Sequence, residues 1–501
     1  AKEYAEILSQ WRKRFRNSGR RDQIERRQLL LDYAGNPKQS LDALRRQLGV
    51  SLSHQQEGKA QARQYPSELN PDHVSWNRFL DDALRNNEHL NNLTDDAFIP
   101  LLESGYKLDS KKRRSLLSRV SIPDLPGLVD LIAQDLKTKE SKGFGEFKIH
   151  RNLTVAQLDA LQKLIPTLLR NENFVHTRLA RLQPGADTNA AVDPAAREEY
   201  LEAAWKFVSG LPPSFNSLKA HVLYQRLAHD RATGNINAAR FLTYVKLPRN
   251  ASYIRPEWRK ELGGDWKYAA DCGRDYRPVT GLPPIGGDEA LVRNYLLVLL
   301  KDARNFEPYA PYIAESWLKA VFAETKMVNG VGDPEQWASM LSPSAFQALK
   351  DRVDVDFDPA HGAGDPSANV LQLNVNDPVH LRLHVKNVDK LIVKVFEINS
   401  LNYYREHGRE VSTDLQLDGL VANHERSFEY GDAPVRRVAR DFSFPEIGNR
   451  RGVWVVEFIG GSRSSRAIIR KGQLSTLVTP GAGGSNVHLL DELRKPVKNG
   501  A

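Results

Sequence analysis

The chain is almost without cysteine: Cys272 is the one such residue in 501. No intrachain disulfide can form, and no cysteine-rich metal site can be built. A disulfide-stapled secreted fold is thereby excluded. The cytoplasm and a bacterial export compartment, where many proteins lack disulfides, both remain compatible. No apolar run approaches the ~18 residues of a membrane span, and the densest, Tyr295–Leu300 (YLLVLL), reads as core helix. The opening carries no secretory leader pattern, and no internal period repeats cleanly enough to describe a solenoid.

What is present is the composition of a soluble globular protein, 41% hydrophobic and 27% charged, with a mean hydropathy of −0.51. Such a length implies roughly three or four domains. The 71 basic and 62 acidic side chains leave a net charge of +9, a surplus too dilute to require nucleic acid.

Apolar spacing divides the chain. Residues 1–55 read as N-terminal helices, with Tyr4, Ile7, Leu8, Trp11 and Phe15 at helical intervals and further helices over Asp22–Tyr33 and Ser40–Leu48. Residues 56–75 are a polar, proline-bearing linker. Residues 76–182 form a helical domain, in which LTVAQLDALQKLIPTLLRN repeats leucines at three- and four-residue intervals with Thr154 as N-cap. A linker at 183–196 precedes a second helical domain, 197–350, which contains a Pro-, Gly- and aromatic-rich loop at 246–290. That loop is too long for a simple connection and is expected to be ordered.

After a linker at 351–369 the pattern changes. Val379, Leu381, Leu383 and Val385 alternate with His380, Arg382, His384 and Lys386, giving one buried and one wet face. LIVKVFEI (Leu391–Ile398) is apolar on both sides, as an internal strand is. Further short strands are predicted at Asp414–Leu417, Val435–Phe442, Val453–Ile459, Arg466–Arg470 and Leu474–Val478. The fold class is therefore multi-domain α+β: a mainly α-helical N-terminal region, then an antiparallel β-sandwich over 370–480. Residues 481–501 read as a hinge and the start of a further β-domain, so the chain is expected to be a section of a longer polypeptide.

Catalytic chemistry is hard to find. His380 and His384 share a strand face but stand about 13 Å apart, too far to grip one metal. Asp354, Asp356, Asp358 and Asp365 imitate calcium-loop spacing, but Pro359 sits where such a loop needs glycine, and a solvated acidic linker is preferred. GLPPIGGDEA lacks the Lys-Ser/Thr of a phosphate loop and reads as a turn capping the helix after Asp288. There is no G-x-S-x-G, and Cys272 has no neighbouring histidine. No cofactor is called for, and an interaction role ranks ahead of an enzyme.

The run VHLRLHVKNVDKLIVKVFEINSLNYYRE, continued by STDLQLDGLVANHE, GVWVVEFIGG and LLDELRKPVKNGA, resembles bacterial alpha-2-macroglobulin-like proteins and their macroglobulin domains. The resemblance covers about residues 370–501. It implies an exported, periplasmic or cell-envelope, scaffold of stacked sandwiches with protein partners, proteases among them. Classical members trap proteases with a thioester formed in a Cys-Gly-Glu-Gln motif. Here Cys272 precedes Gly273-Arg274, so no thioester is assigned and no catalytic residue carries over. The expected function is thus a non-catalytic scaffolding section.

Two other readings compete. Arg255, Trp258, Trp266, Tyr276 and Arg277 of the long loop could line an anionic-ligand or enzyme pocket; side chains pinning the loop to helices is the plainer account. Trp11–Arg21 (WRKRFRNSGRR) could serve a membrane surface or nucleic acid, against the plainer solvated helix face.

Overall fold

The computed structural model describes residues 2–14, 24, 28, 108–185, 188, 190, 193–358, 369–481, 484–492 and 494–497. Apart from Ile24 and Gln28, the helices expected at Asp22–Tyr33 and Ser40–Leu48, the 56–75 linker, residues 15–21 of the basic segment and Asp365 lie outside these. Two compact units divide between Arg181 and Leu182. Among the described residues no helix is long and apolar enough to cross a membrane.

The first unit contains α1 (Lys2–Arg14) and, further along, α2 (Ser110–Arg119), α3 (Leu128–Leu136), α4 (Lys148–Asn152) and α5 (Val155–Leu164); α6 (Glu172–Leu182) closes it. Leu116, Leu117, Ile132, Phe144, Ile149, Leu158, Leu161 and Phe174 form its core. Thr154 is the N-cap of α5 as the spacing predicts: its Oγ1 accepts from the Gln157 amide while the Gln157 side chain accepts from the Thr154 amide at 3.0 Å. That reciprocal pair satisfies two donors the helix itself cannot. His150 is fully buried against Phe144, and its Nδ1 accepts from the Gly145 amide at 2.9 Å.

The second unit opens with helices α7 (Pro194–Val208), α8 (Asn216–Ala232), α9 (Ala238–Lys246), α10 (Pro256–Leu262), α11 (Arg277–Thr280), α12 (Glu289–Leu299), α13 (Glu315–Asn329), α14 (Pro334–Ala338) and α15 (Pro343–Asp351). Helix α8 is buried along most of its length, with polar His221, Gln225, Arg226, His229 and Asp230 buried beside its apolar side chains; Leu223, Leu227, Phe241, Tyr295 and Phe322 share its core.

Among the described residues ten strands follow: β1 (Asp354–Phe357), β2 (Val370–Leu373), β3 (His380–Lys386), β4 (Lys390–Ile398), β5 (His424–Glu429), β6 (Arg437–Ser443), β7 (Gly452–Gly460), β8 (Arg463–Lys471), β9 (Ser475–Gly481) and β10 (Gly484–Leu490). Eight form a sandwich, with one sheet ordered β1-β3-β6 and the other β2-β8-β7-β4-β5. Leu381, Leu383 and Val385 of β3 face Leu391, Val393 and Val395 of β4 and Val456 and Phe458 of β7 across a dry core. The alternation read from the sequence is thus realised. The sheets are antiparallel except for β2, which pairs in parallel with β8.

Three sequence expectations fail here. Asp414–Leu417 is not a strand, and Asp354–Phe357, inside the segment read as a 351–369 linker, is strand β1. Asn399 caps a short helix, α16 (Ser400–His407), by accepting from the Asn402 amide, and Gly408 ends it in the left-handed region. Tyr403, Val411 and Leu417 then pack on Phe396, Val455 and Ile468, covering the outer face of the five-stranded sheet. That is why β4 and β7 are apolar on both sides. Leu474–Val478 belongs instead to a separate two-stranded ribbon, β9-β10.

Candidate functional site: a locked loop and a charged junction

The 246–290 segment is built around one buried carboxylate. Asp288 Oδ2 accepts from Arg249 Nε at 2.9 Å, from the Tyr244 hydroxyl at 2.8 Å and from the Tyr253 hydroxyl at 2.6 Å. Arg249 is wholly excluded from solvent; it also donates to the Tyr244 and Leu247 carbonyls and to the Tyr253 hydroxyl, and its guanidinium lies over the Tyr244 ring. Asp288 stands just ahead of α12, but its carboxylate makes no cap bond there. The sequence reading of it as a helix cap is therefore corrected: the carboxylate ties both ends of the loop together. Burial, with Asp288 adding, pushes the Cys272 thiol up to about 11, so it stays protonated near neutrality and is a poor nucleophile.

The five loop residues singled out from the sequence take separate partners. Arg255 pairs with Glu257, and Trp258 meets Tyr312 edge-on. Arg259 covers Trp266. Tyr276 is buried beside His221, and exposed Arg277 pairs with Asp275. Of the four aspartates, Asp354 and Asp356 face Arg437, and among the described residues no group of three or more ligating side chains could hold a metal.

Sequence reasoning missed the junction between the helices and the sandwich. Glu324 of α13 accepts from Arg293 and, at 2.9 Å, from Arg352; Arg352 then grips Asp354 of β1 with two bonds of 2.8 and 3.0 Å. Arg437 of β6 lies 3.6 Å from the same aspartate. Glu324 and Asp354 are both buried, so this chain of charges is screened far less than a surface pair. The turn between β3 and β4 completes the clamp. Buried Lys386 donates to the Arg352 carbonyl at 2.6 Å, and Asn387, held at φ 54, reaches the Lys350 and Asp351 carbonyls. These carbonyls end α15, where the helix dipole favours a cation.

Arg436 makes the neighbouring contact. Gly330 ends α13 with φ +64, and a Cβ added there would fall on the Arg436 guanidinium. Gly330→Ala is expected to cost about 1–2 kcal/mol from the left-handed backbone alone. Arg436→Ala in the same background should remove only the added collision. Chemical denaturation of the two variants checks this, and an unchanged midpoint for Gly330→Ala would contradict it.

A cavity of about 680 Å³ lies beside the junction, lined in part by Arg231, Lys301, His384, Arg437, Asp356 and Asp358. Its cations and carboxylates nearly balance, so it has no marked preference for either sign of ligand. Burial, with Arg437 nearby, holds His384 down to about 4, keeping it neutral.

The described architecture is a helical segment clamped to an immunoglobulin-like sandwich, and comparison with known proteins gives its family. Residues 73–353 match the model for the actin-binding protein F N-terminal domain, and residues 391–472 match that for the AbpF first immunoglobulin-like domain. The chain belongs to the actin-binding protein F family. It is 29% identical over 395 residues to Actin-binding protein F of Dictyostelium discoideum, an alignment spanning 78% of this chain and 16% of that relative. No solved structure matches the chain.

These matches overturn the alpha-2-macroglobulin resemblance, and with it the protease-trapping scaffold and the expectation of protease partners. The physical reason is that a strand, a tight turn and a doubly apolar second strand are written alike by many sandwiches. Neither the anionic-ligand enzyme nor the membrane or nucleic-acid adaptor fits better.

Proposed function

We propose that this chain is an actin-binding segment, acting by binding rather than catalysis. The observation that carries the reading is the match of residues 73–353 to the actin-binding protein F N-terminal domain, joined to a relative whose name states actin binding. The buried ion chain through Glu324, Arg352 and Asp354 supports it physically, because a helical segment fixed to the first sandwich transmits orientation to whatever follows. Neutral His384 and a protonated Cys272 agree with a binding role, since neither is poised for proton transfer or attack near pH 7.

The test is co-sedimentation of the 501-residue chain with purified actin filaments. The expected result is saturable pelleting that requires filaments. A chain that stays in the supernatant at every micromolar filament concentration would contradict the proposal.

A further inference from the structure

The first unit carries a concentration of positive charge that the function above does not by itself locate. Residues 108–181 hold 14 Lys and Arg against 8 Asp and Glu, a surplus of +6 out of the chain's +9. Helix α2 begins SKKRR, so Lys111, Lys112, Arg113 and Arg114 occupy its first turn, and that turn has no acidic residue. Cations there oppose the positive end of the helix dipole. A sequence that keeps such a local conflict commonly does so for function.

The fold sets α2 beside a second cationic stretch, KTKESKGFGEFKIHR (Lys137–Arg151). Arg114 bonds both Asp135 oxygens at 3.2 and 3.1 Å, pairs with Glu146, and lies 5.1 Å over the Phe147 ring. Arg113 reaches Gln134. Asp135 and Glu146 are thereby consumed internally. What remains exposed is Lys111, Lys137, Lys139, Lys142, Lys148 and Arg151, with Asp109 and Glu140 as the exposed carboxylates of the same two stretches. Among the described residues none of these six cations joins an ion pair.

The loop that presents them is held in place. The Lys142 amide donates to Glu146 at 2.9 Å, the Gly145 amide donates to His150, and Asn173 Nδ2 donates to the Phe144 carbonyl at 3.3 Å. Phe144 stacks on His150 and meets Phe174 edge-on. A partner meeting this surface therefore incurs little cost for ordering the backbone.

We infer that the surface formed by the start of α2 and residues 137–151 is the face that meets an acidic protein filament, which on the reading above is actin. The inference rests on that reading. Unpaired, pre-positioned cations accelerate encounter with an acidic surface and make binding depend on salt.

The experiment compares three full-length chains in filament co-sedimentation at low and at physiological ionic strength. One is unaltered. The second carries Lys139→Glu, Lys142→Glu and Lys148→Glu. The third makes the same charge change elsewhere, at exposed Lys163, Arg170 and Lys206. Circular dichroism checks that all three fold. The expected result is an affinity loss of about tenfold or more for the second chain only, with the unaltered chain weakened by salt. Equal losses in the second and third chains would show that only net charge matters and overturn the inference. Undiminished binding by the second would overturn it while leaving the actin reading intact. An unaltered chain that does not pellet removes both, including where it binds anionic vesicles instead.

Discussion

Asp288→Ala is expected to cost about 3–5 kcal/mol, because it strands a buried guanidinium rather than merely deleting a bond. Arg249 has no exposed surface, and Asp288 is the carboxylate its Nε reaches. The same substitution removes the acceptor of the Tyr244 and Tyr253 hydroxyls, both buried. The loop from 246 to 290 then keeps its apolar contacts and the hydrogen bonds away from Asp288, such as those of Thr280 with Tyr200 and His221 and of the Pro283 carbonyl with Gln225. The companion variant Arg249→Met/Asp288→Leu replaces the whole pair with side chains that can stay dry, and should recover much of the loss. Hydrogen exchange of the α9 and α12 amides measures the effect in place, avoiding a single two-state fit to a chain with two units. A loss under about 1 kcal/mol for Asp288→Ala would mean that water reaches Arg249 and that the knot is not the loop's anchor.

Acid is expected to destabilise both units between about pH 6.5 and pH 4. His150 in the first unit and His221 in the second are fully buried, and burial lowers each to about 4 from the ordinary value of 6.5. The unfolded chain takes up protons below pH 6.5 while the folded chain does not. Stability therefore falls as pH drops through this window, and is unaffected by these groups above it. A depression of that size corresponds to at most about 3 kcal/mol for each histidine once both states are past their titrations. His150→Asn keeps an acceptor for the Gly145 amide but removes the titration, so the acid slope of the first unit should flatten. Melting curves from pH 7 to pH 4.5 decide the matter, and an unchanged slope would refute the assignment.

Much of the architecture was legible because the sandwich core follows the simplest rule available. Leu381, Leu383 and Val385 alternate, and the alternation alone names their buried face. The doubly apolar β4 was also legible as internal, although the reason for its second apolar face was not. That face is covered by α16, an eight-residue helix with one buried side chain, Tyr403, and so almost no periodic pattern to read. Strand β5, HERSFE, is a polar edge strand that gives no alternation of apolar and polar residues strong enough to find.

The site was less legible than the fold, since its important groups are ordinary charges made special by their partners. Nothing in the local sequence separates buried Asp288 from its exposed neighbour Glu289; only the arrival of Arg249, Tyr244 and Tyr253 does. Glu324, Arg352 and Asp354 are likewise joined across the junction by tertiary structure. The cationic segments were different. SKKRR and KTKESKGFGEFK are charge clusters in the sequence, as Trp11–Arg21 is, and composition alone does not rank one above another. What reveals their availability is that Arg114 uses up the local carboxylates, which requires the fold.

The most direct test of the central claim is an electron cryomicroscopy reconstruction of actin filaments decorated with the 501-residue chain. The account predicts density for the first unit on the filament, with its cationic face at the contact. Bare filaments at saturating protein, or decoration through the sandwich alone, would contradict it.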